Sequence, residues 1–244
     1  MILLLGFVGL LTGFLSGFFG VGGGQVAVPL LVFFGLNIKN AVGISVIQMM
    51  FGSIYGSYLN YKHGNLDLKQ YFPFLIGGVF GGFIGSYFSN IASEHFLYIL
   101  FLCIVSLAII RVFFSPSEHK LHEIYSPKLY IVIGMLIGIL SGMIGVGGAI
   151  LMTPILVGFL NFSIKKAISV SLYFVIASSV SALFGLSYFG HVDYLDGVIT
   201  AVISLFGVWM GIHLGHKINT RKHKFLLLLI YIITFSIMVE KLID

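Results

Sequence analysis

The chain alternates long uncharged apolar stretches with short polar turns. The stretches run Ile2–Phe18 with a second arm Gly24–Phe34, then Ala41–Tyr61, Tyr71–Ser89 and Phe96–Phe113. A polar interval, Ser115–Lys128, carries Pro116, Pro127 and charges of both signs. The pattern then resumes as Leu129–Ile144 with the arm Ala149–Leu160, followed by Ala167–Phe189, Gly197–Leu214 and Phe225–Val239. Apolar runs of about 18 residues or more read as membrane-crossing helices. Strands of a membrane barrel would instead be about ten residues of strict alternation.

The opening stretch is interrupted by Gly20-Val21-Gly22-Gly23-Gly24. A single membrane helix needs about 20 residues, so Met1–Phe34 is too long for one. Each glycine also costs a helix interior roughly 1 kcal/mol relative to alanine. The pattern predicts one helix to about Phe18, a loop, and a shorter arm from Gly24. Irregular backbone at membrane depth is tolerated only where protein buries it or a cavity wets it. The loop therefore marks a substrate site or a tight packing point.

The interruption occurs twice. At an offset of 125 residues, Gly9, Gly13, Ser16, Gly17, Gly20, Val21, Gly22, Gly23 and Pro29 fall on Gly134, Gly138, Ser141, Gly142, Gly145, Val146, Gly147, Gly148 and Pro154. At 126, Ile38, Lys39, Ala41, Ser45, Gly64, Asp67, Phe80, Gly81 and Gly85 fall on Ile164, Lys165, Ala167, Ser171, Gly190, Asp193, Phe206, Gly207 and Gly211. Internal duplication in a membrane chain points to a transporter. The expected organisation is a first transmembrane repeat over 1–114, a cytoplasmic linker over 115–128 and a second repeat over 129–244.

Loop charge decides the relative orientation of the repeats. If each broken stretch enters and returns on the same side, each half crosses an odd number of times and the halves are inverted. One side then collects Lys62, Lys69, Arg111, Lys120, Lys128, Lys165, Lys166, Lys217, Arg221, Lys222 and Lys224, leaving only Lys39 and Lys241 opposite. If each broken stretch crosses once, the split is nearly even. Lysine and arginine accumulate in cytoplasmic loops, so the inverted arrangement is expected, with both termini outside. The fold class expected is an all-α polytopic membrane protein of two inverted-topology repeats. Each repeat is a glycine-broken helical hairpin followed by three transmembrane helices.

Composition narrows the chemistry. Hydrophobic residues make up 59% and charged residues 9%, which excludes a soluble domain. The formal charge of +5 sits in short loops and does not indicate nucleic acid. Met1–Leu15 lacks a basic leading region and a small-residue cleavage site, so it is expected to be a retained helix. Cys103 stands alone in a helix, and the eight histidines show no ligand spacing, so no metal or other cofactor is expected. No Asp, Glu, Lys or Arg occupies the central turns of an apolar stretch, although cation pathways and proton relays usually carry such residues.

The remaining ligands are backbone N–H groups and neutral side chains. Inverted arms would bring both glycine loops to the midplane, with free N–H groups and positive dipole ends converging on a small anion. The candidate substrate-binding residues are Ser16, Gly20, Gly22, Gly23, Gly24, Gln25, Ser45 and Gln48 in the first half. Ser141, Gly145, Gly147, Gly148, Ala149 and Ser171 are their counterparts in the second, with Thr153 and Tyr173 weaker. Gly77, Gly78, Gly81, Gly82 and Gly85 read as helix-packing points. Asp67 and Asp193 read as helix caps.

Two copies of Ser-Gly-x-x-Gly-Val-Gly-Gly followed closely by proline resemble the TauE/SafE sulfite exporter family of permeases. The resemblance spans essentially the whole chain and includes Gly64–Asp67 with its partner Gly190–Asp193. It implies movement of sulfite, an organosulfonate or a related sulfur-containing anion across a prokaryotic cytoplasmic membrane. The expected partners are that anion and membrane lipid, with a homodimer left open and no nucleic acid. Gly24 and Gln25 face Ala149 and Ile150 in the second copy, which argues against equal contributions of the two loops. A passive anion channel or a membrane subunit of another transport system stays open. An enzyme does not fit, because the serine motifs lack a histidine or aspartate at matching depth and no Walker sequence is present.

Overall fold

Polar caps start several of the helices, and the apolar runs fill them. In the computed structural model, residues 2–20, 22–64, 66–113, 123–215 and 220–243 are described. Among these, every regular element is α-helical: α1 (Ile2–Phe19), α2 (Gly24–Phe33), α3 (Ile38–Lys62), α4 (Leu68–Ile91) and α5 (Glu94–Phe113) form the first half. The second half comprises α6 (Pro127–Ile144), α7 (Ala149–Phe159), α8 (Ile164–Tyr188), α9 (Tyr194–Gly215) and α10 (Thr220–Ile243). Val21, Asn65, the linker through residue 122 and the side chains of the basic run His216–Lys224 lie outside the described residues.

Several helices begin before their apolar run does. The Asn37 side chain accepts the Lys39 N–H at 2.8 Å, so α3 starts at Ile38 instead of Ala41. Asp67 accepts the Lys69 and Gln70 N–H groups at 3.0 and 3.1 Å, starting α4 at Leu68. Asp193 accepts the Asp196 N–H at 3.2 Å. These side chains supply orphan amides of a first turn with acceptors, as expected of helix caps. Pro127 opens α6, where a missing N–H costs nothing.

Among the described residues, seven helices are long and apolar enough to cross a membrane. They are α1, α3, α4, α6, α8, α9 and the Phe225–Ile243 part of α10. The arms α2 and α7 and the 94–110 part of α5 are shorter apolar helices. Burial ranks them: 67% of the apolar window of α3 and of α8 lies inside the bundle, against 17% for α10. The centre is therefore α3 and α8, and α10 is peripheral.

Glycines set the tightest contacts, and those contacts join the two halves. On α1, Gly9, Gly13 and Gly17 lie against the backbone of Thr200, Ser204 and Val208 of α9, with no room for a Cβ. On α4, Gly77, Gly81 and Gly85 lie against the carbonyls of Ile131, Met135 and Ile139 of α6. Close approach of backbones through small residues is how helices associate where lipid supplies no hydrophobic drive. Residue order in the contacts also gives direction. α1 and α9 run the same way, as do α4 and α6. Gly43 against His191, then Gly197 against Ile47, then Gly52 against Val208, align α3 with α9. Gly78 against Phe174, then Gly82 against Ser178 and Ser181, then Gly185 against Ser86, align α4 with α8.

Candidate functional site

Each glycine turn is built the same way. The Gly20 N–H donates to the Ser16 carbonyl at 2.8 Å and ends α1; the Gly145 N–H donates to Ser141 at 2.9 Å and ends α6. Gly20, Gly22 and Gly23 have φ of 67, 83 and 71°, and Gly145, Gly147 and Gly148 have 64, 79 and 68°. Only glycine adopts such values without strain, which is why the spacing recurs. Gly23 and Gly148 are the N-caps of α2 and α7, and neither is capped by a side chain. The Gly23 carbonyl accepts the Val26 and Ala27 N–H groups, and Gly148 accepts those of Leu151 and Met152. The repeat thus extends from sequence to backbone conformation and hydrogen bonding.

The two turns touch. Gly24 lies against the Gly145 carbonyl oxygen, and a Cβ on Gly22 would stand 3.5 Å from the Ala149 Cβ. Ser45 of α3 donates its hydroxyl to the Gly145 carbonyl at 2.8 Å, tying the first half to the tip of the second. Gln48, one turn further along α3, sets its amide against Gly23: a Cβ there would be 2.9 Å from Oε1 and 3.0 Å from Nε2. Gln25, in the first turn of α2, and Gln48 are fully buried, and no amide atom of either has a hydrogen-bond partner. A buried polar group without a partner costs about 1–3 kcal/mol.

Of the candidates, Gly22, Gly23, Gly24, Ser45, Gln48, Gly145, Gly147 and Ala149 meet at this contact. Gly20 and Gly145 are plugged by Ile168 and Val42, equivalent residues each supplied by the other half. Ser16 and Ser141 are buried at the ends of α1 and α6, where their carbonyls close the helix. Ser171 shares a 3.0 Å hydrogen bond with Thr153 inside its own half, unlike its counterpart Ser45. Gly148 faces Ile137, Phe174 and the Cβ of Ser141. Phe174 occupies the position of Gln48 and Ile150 that of Gln25, so the polar side of the contact belongs to the first half. Tyr173 reaches outward, its hydroxyl 3.5 Å from the Leu68 carbonyl.

Sequence reasoning missed Met49, whose Sδ stands against both Gly24 and Gly147. It also missed the Val42 and Ile168 plugs, although their match at the 126-residue offset was there to find. A cavity of about 450 Å³ lies elsewhere, lined by Gly64, Leu66, Asp67, Gln70, Ser163, Lys165 and Lys166. It sits where the α3–α4 turn meets the start of α8, and none of the candidate residues lines it. Beside it, Lys166 pairs with Glu123 at 2.8 Å. A separate polar cluster joins Asn37 to Glu94 at 2.6 Å, Lys39 to the Asn90 carbonyl at 2.9 Å and His191 to Asn90 at 3.0 Å. Partial burial and the nearby Lys39 ammonium hold the His191 imidazole below its ordinary pKa of 6.5.

An all-helical bundle with membrane-length apolar helices around two touching, uncapped glycine turns defines a polytopic membrane protein of the transporter class. The chain belongs to the family described as sulfite exporter TauE/SafE, whose pattern matches residues 5–238. It is 27% identical over 241 residues to a Bacillus subtilis protein named probable membrane transporter protein YunE, covering 88% of this chain and 87% of that one. It is 30% identical over 215 residues to probable membrane transporter protein YdhB of the same organism, covering 82% and 85%. An archaeal relative from Methanocaldococcus jannaschii, also named a probable membrane transporter protein, is 28% identical over 245 residues, covering 90% and 88%. No solved structure matches the chain. The family is described as an exporter and these relatives are named probable membrane transporters.

Proposed function

We propose that this chain is a carrier that moves a small sulfur-containing oxoanion, in the export direction, across a prokaryotic cytoplasmic membrane. The anion is held at the midplane where the two glycine turns meet. The observation carrying this reading is the contact itself: matched turns, uncapped starts of α2 and α7, and the unpartnered Gln48 amide against Gly23. Converging helix starts present positive dipole ends and those first-turn N–H groups not already taken by the Gly22, Gly23 and Gly148 carbonyls, which suit an anion. The family description names sulfite, and the uncharged lining suits a small oxoanion better than a cation.

The same reading makes the halves inverted repeats. Support comes from the helix directions, since α1 and α3 both follow α9 while α6 and α8 both follow α4. The short turn between α3 and α4 reverses the chain, so α1 and its counterpart α6 oppose one another. With α1 and α3 codirectional, α2 returns to the side it came from. The charge asymmetry of the loops then puts both termini outside.

Alternating access follows by rocking around the turn contact. Because the glycine seams fasten α1 to α9 and α4 to α6, the units that rock each combine helices from both halves. The test is flux of labelled sulfite in proteoliposomes containing the full chain. Wild type is expected to carry sulfite well above empty liposomes, and Gly23→Val, forcing a β-branched residue to a φ of 71°, to abolish it while the protein still inserts. Absence of anion flux in wild type, or full flux in the variant, would overturn the proposal.

A further inference from the structure

We infer that the species accepted at the turn is a monohydrogen oxoanion, carrying one negative charge and one hydroxyl, in preference to the fully ionised form. The inference rests on the reading that an anion sits there, and it concerns which ionisation state fits. Gln48 brings an NH₂ donor and a carbonyl acceptor to the turn, both completely buried and unpartnered, and Gln25 in the first turn of α2 is likewise buried without a partner. Gln48 stands directly against Gly23, the uncapped start of α2. A bare oxoanion only accepts hydrogen bonds. It would serve the Gln48 NH₂ group and those helix-start N–H groups not taken by the turn carbonyls, yet leave the Gln48 carbonyl unpaired and facing negative charge. Which of the two amide atoms points inward does not alter this, since every orientation keeps one carbonyl per side chain. A hydroxyl on the ligand supplies the missing donor.

Charge argues the same way. The described neighbours of the two turns are Thr12, Val42, Ser45, Gln48, Met49 and Val175 with their like, and none is ionisable. On the helices that lead into the turns or pack on them the charged groups stand at the ends: Lys39 and Lys62 on α3, Lys128 on α6, Lys165 and Lys166 on α8, Asp196 and His213 on α9. The helices α1, α2 and α7 carry no charged side chain. Desolvation grows with the square of the charge, so a dianion meets roughly four times the penalty of a monoanion with no cation to offset it. The second half repeats the turn but has Ile150 and Phe174 in place of the glutamines, so recognition of the hydroxyl falls to the first half alone.

The experiment compares initial fluxes of sulfite, methanesulfonate and sulfate in proteoliposomes across the pH range in which hydrogen sulfite loses its proton, with empty liposomes subtracted. Methanesulfonate is a monoanion with no hydroxyl, and sulfate a dianion throughout. Sulfite flux per total sulfite is expected to fall as pH rises, tracking the hydrogen sulfite fraction. Methanesulfonate should be flat with pH and about tenfold or more slower, the cost of leaving a buried carbonyl unpaired. Sulfate should stay near background. Gln48→Leu, which removes the orphaned amide instead of adding bulk, should bring sulfite down towards the methanesulfonate rate. Sulfite flux that is level or rises with pH, or sulfate or methanesulfonate moving as fast as sulfite, would overturn the inference while leaving anion transport standing. Failure of all three anions to move would remove the transport proposal, and this inference with it.

Discussion

Gly24→Ala adds one methyl group at the closest point between the two turns. That carbon would press into the Gly145 carbonyl oxygen, 2.5 Å from the Met49 Sδ and 2.8 Å from the Ser45 Oγ. The thioether can swing aside. The carbonyl cannot, because it is backbone and already accepts the Ser45 hydroxyl at 2.8 Å. Ordinary carbon contacts lie at about 3.5–4.0 Å, so the turns must part by roughly 1 Å. Overpacking of this kind costs about 1–3 kcal/mol, which is a factor of about five to 150 in the population of the touching arrangement. If transport passes through that arrangement, sulfite flux in proteoliposomes should fall by the same factor. Insertion and helicity, read by circular dichroism of the purified protein, should not change. Ala149→Gly is the control at the equivalent position of the second half. Even a Cβ added at Gly22 would meet the Ala149 Cβ only at 3.5 Å, ordinary van der Waals range, so removing that methyl should leave flux within about twofold. Wild-type flux in Gly24→Ala, or equal damage from Ala149→Gly, would refute the idea that this contact is part of the transport cycle.

The His191 environment gives a pH dependence. Its pKa lies below 6.5 in the folded protein, so the unfolded chain binds the proton more readily; the associated stability is complete above pH 6.5 and is lost as pH falls through the folded-state value. Thermal unfolding in detergent should therefore occur at lower temperature below pH 6.5, and His191→Gln should remove that component of the slope. A second check concerns orientation. In a Cys103→Ala background, Ile2→Cys should react with a membrane-impermeant maleimide applied to intact cells, and labelling only after permeabilisation would contradict external termini.

Local features were easiest to read ahead of the structure. The glycine turns were visible because backbone with φ near 70° admits little but glycine, and because the same spacing occurs twice. Asp67 and Asp193 announced themselves as caps through their position between a polar turn and an apolar run. The small-residue stripe on α4 was recognisable as packing, yet nothing in it says that the partner is α6. A stripe shows which face admits a close neighbour, and only the tertiary arrangement selects the neighbour. Ser45 and Ser171 looked interchangeable, but one reaches across to Gly145 and the other stays with Thr153. Met49 gave no signal, since a methionine in an apolar helix is ordinary core. The 450 Å³ cavity away from the turns was equally unforeseen, since its lining comes from two segments far apart in sequence, the α3–α4 turn with the start of α4 and the end of the α7–α8 turn with the start of α8.

The crossed glycine seams bear on how such a chain could have arisen. Each half keeps two small-residue stripes, one on α1 or α6 and one on α4 or α9, whose mates are encoded beyond the linker. A half made alone would offer both stripes to lipid with nothing to fill them. A single-copy ancestor would have needed a second copy from the outset, the pair interleaving their helices, and later fusion into one gene would have made permanent an embrace that two separate molecules once had to find.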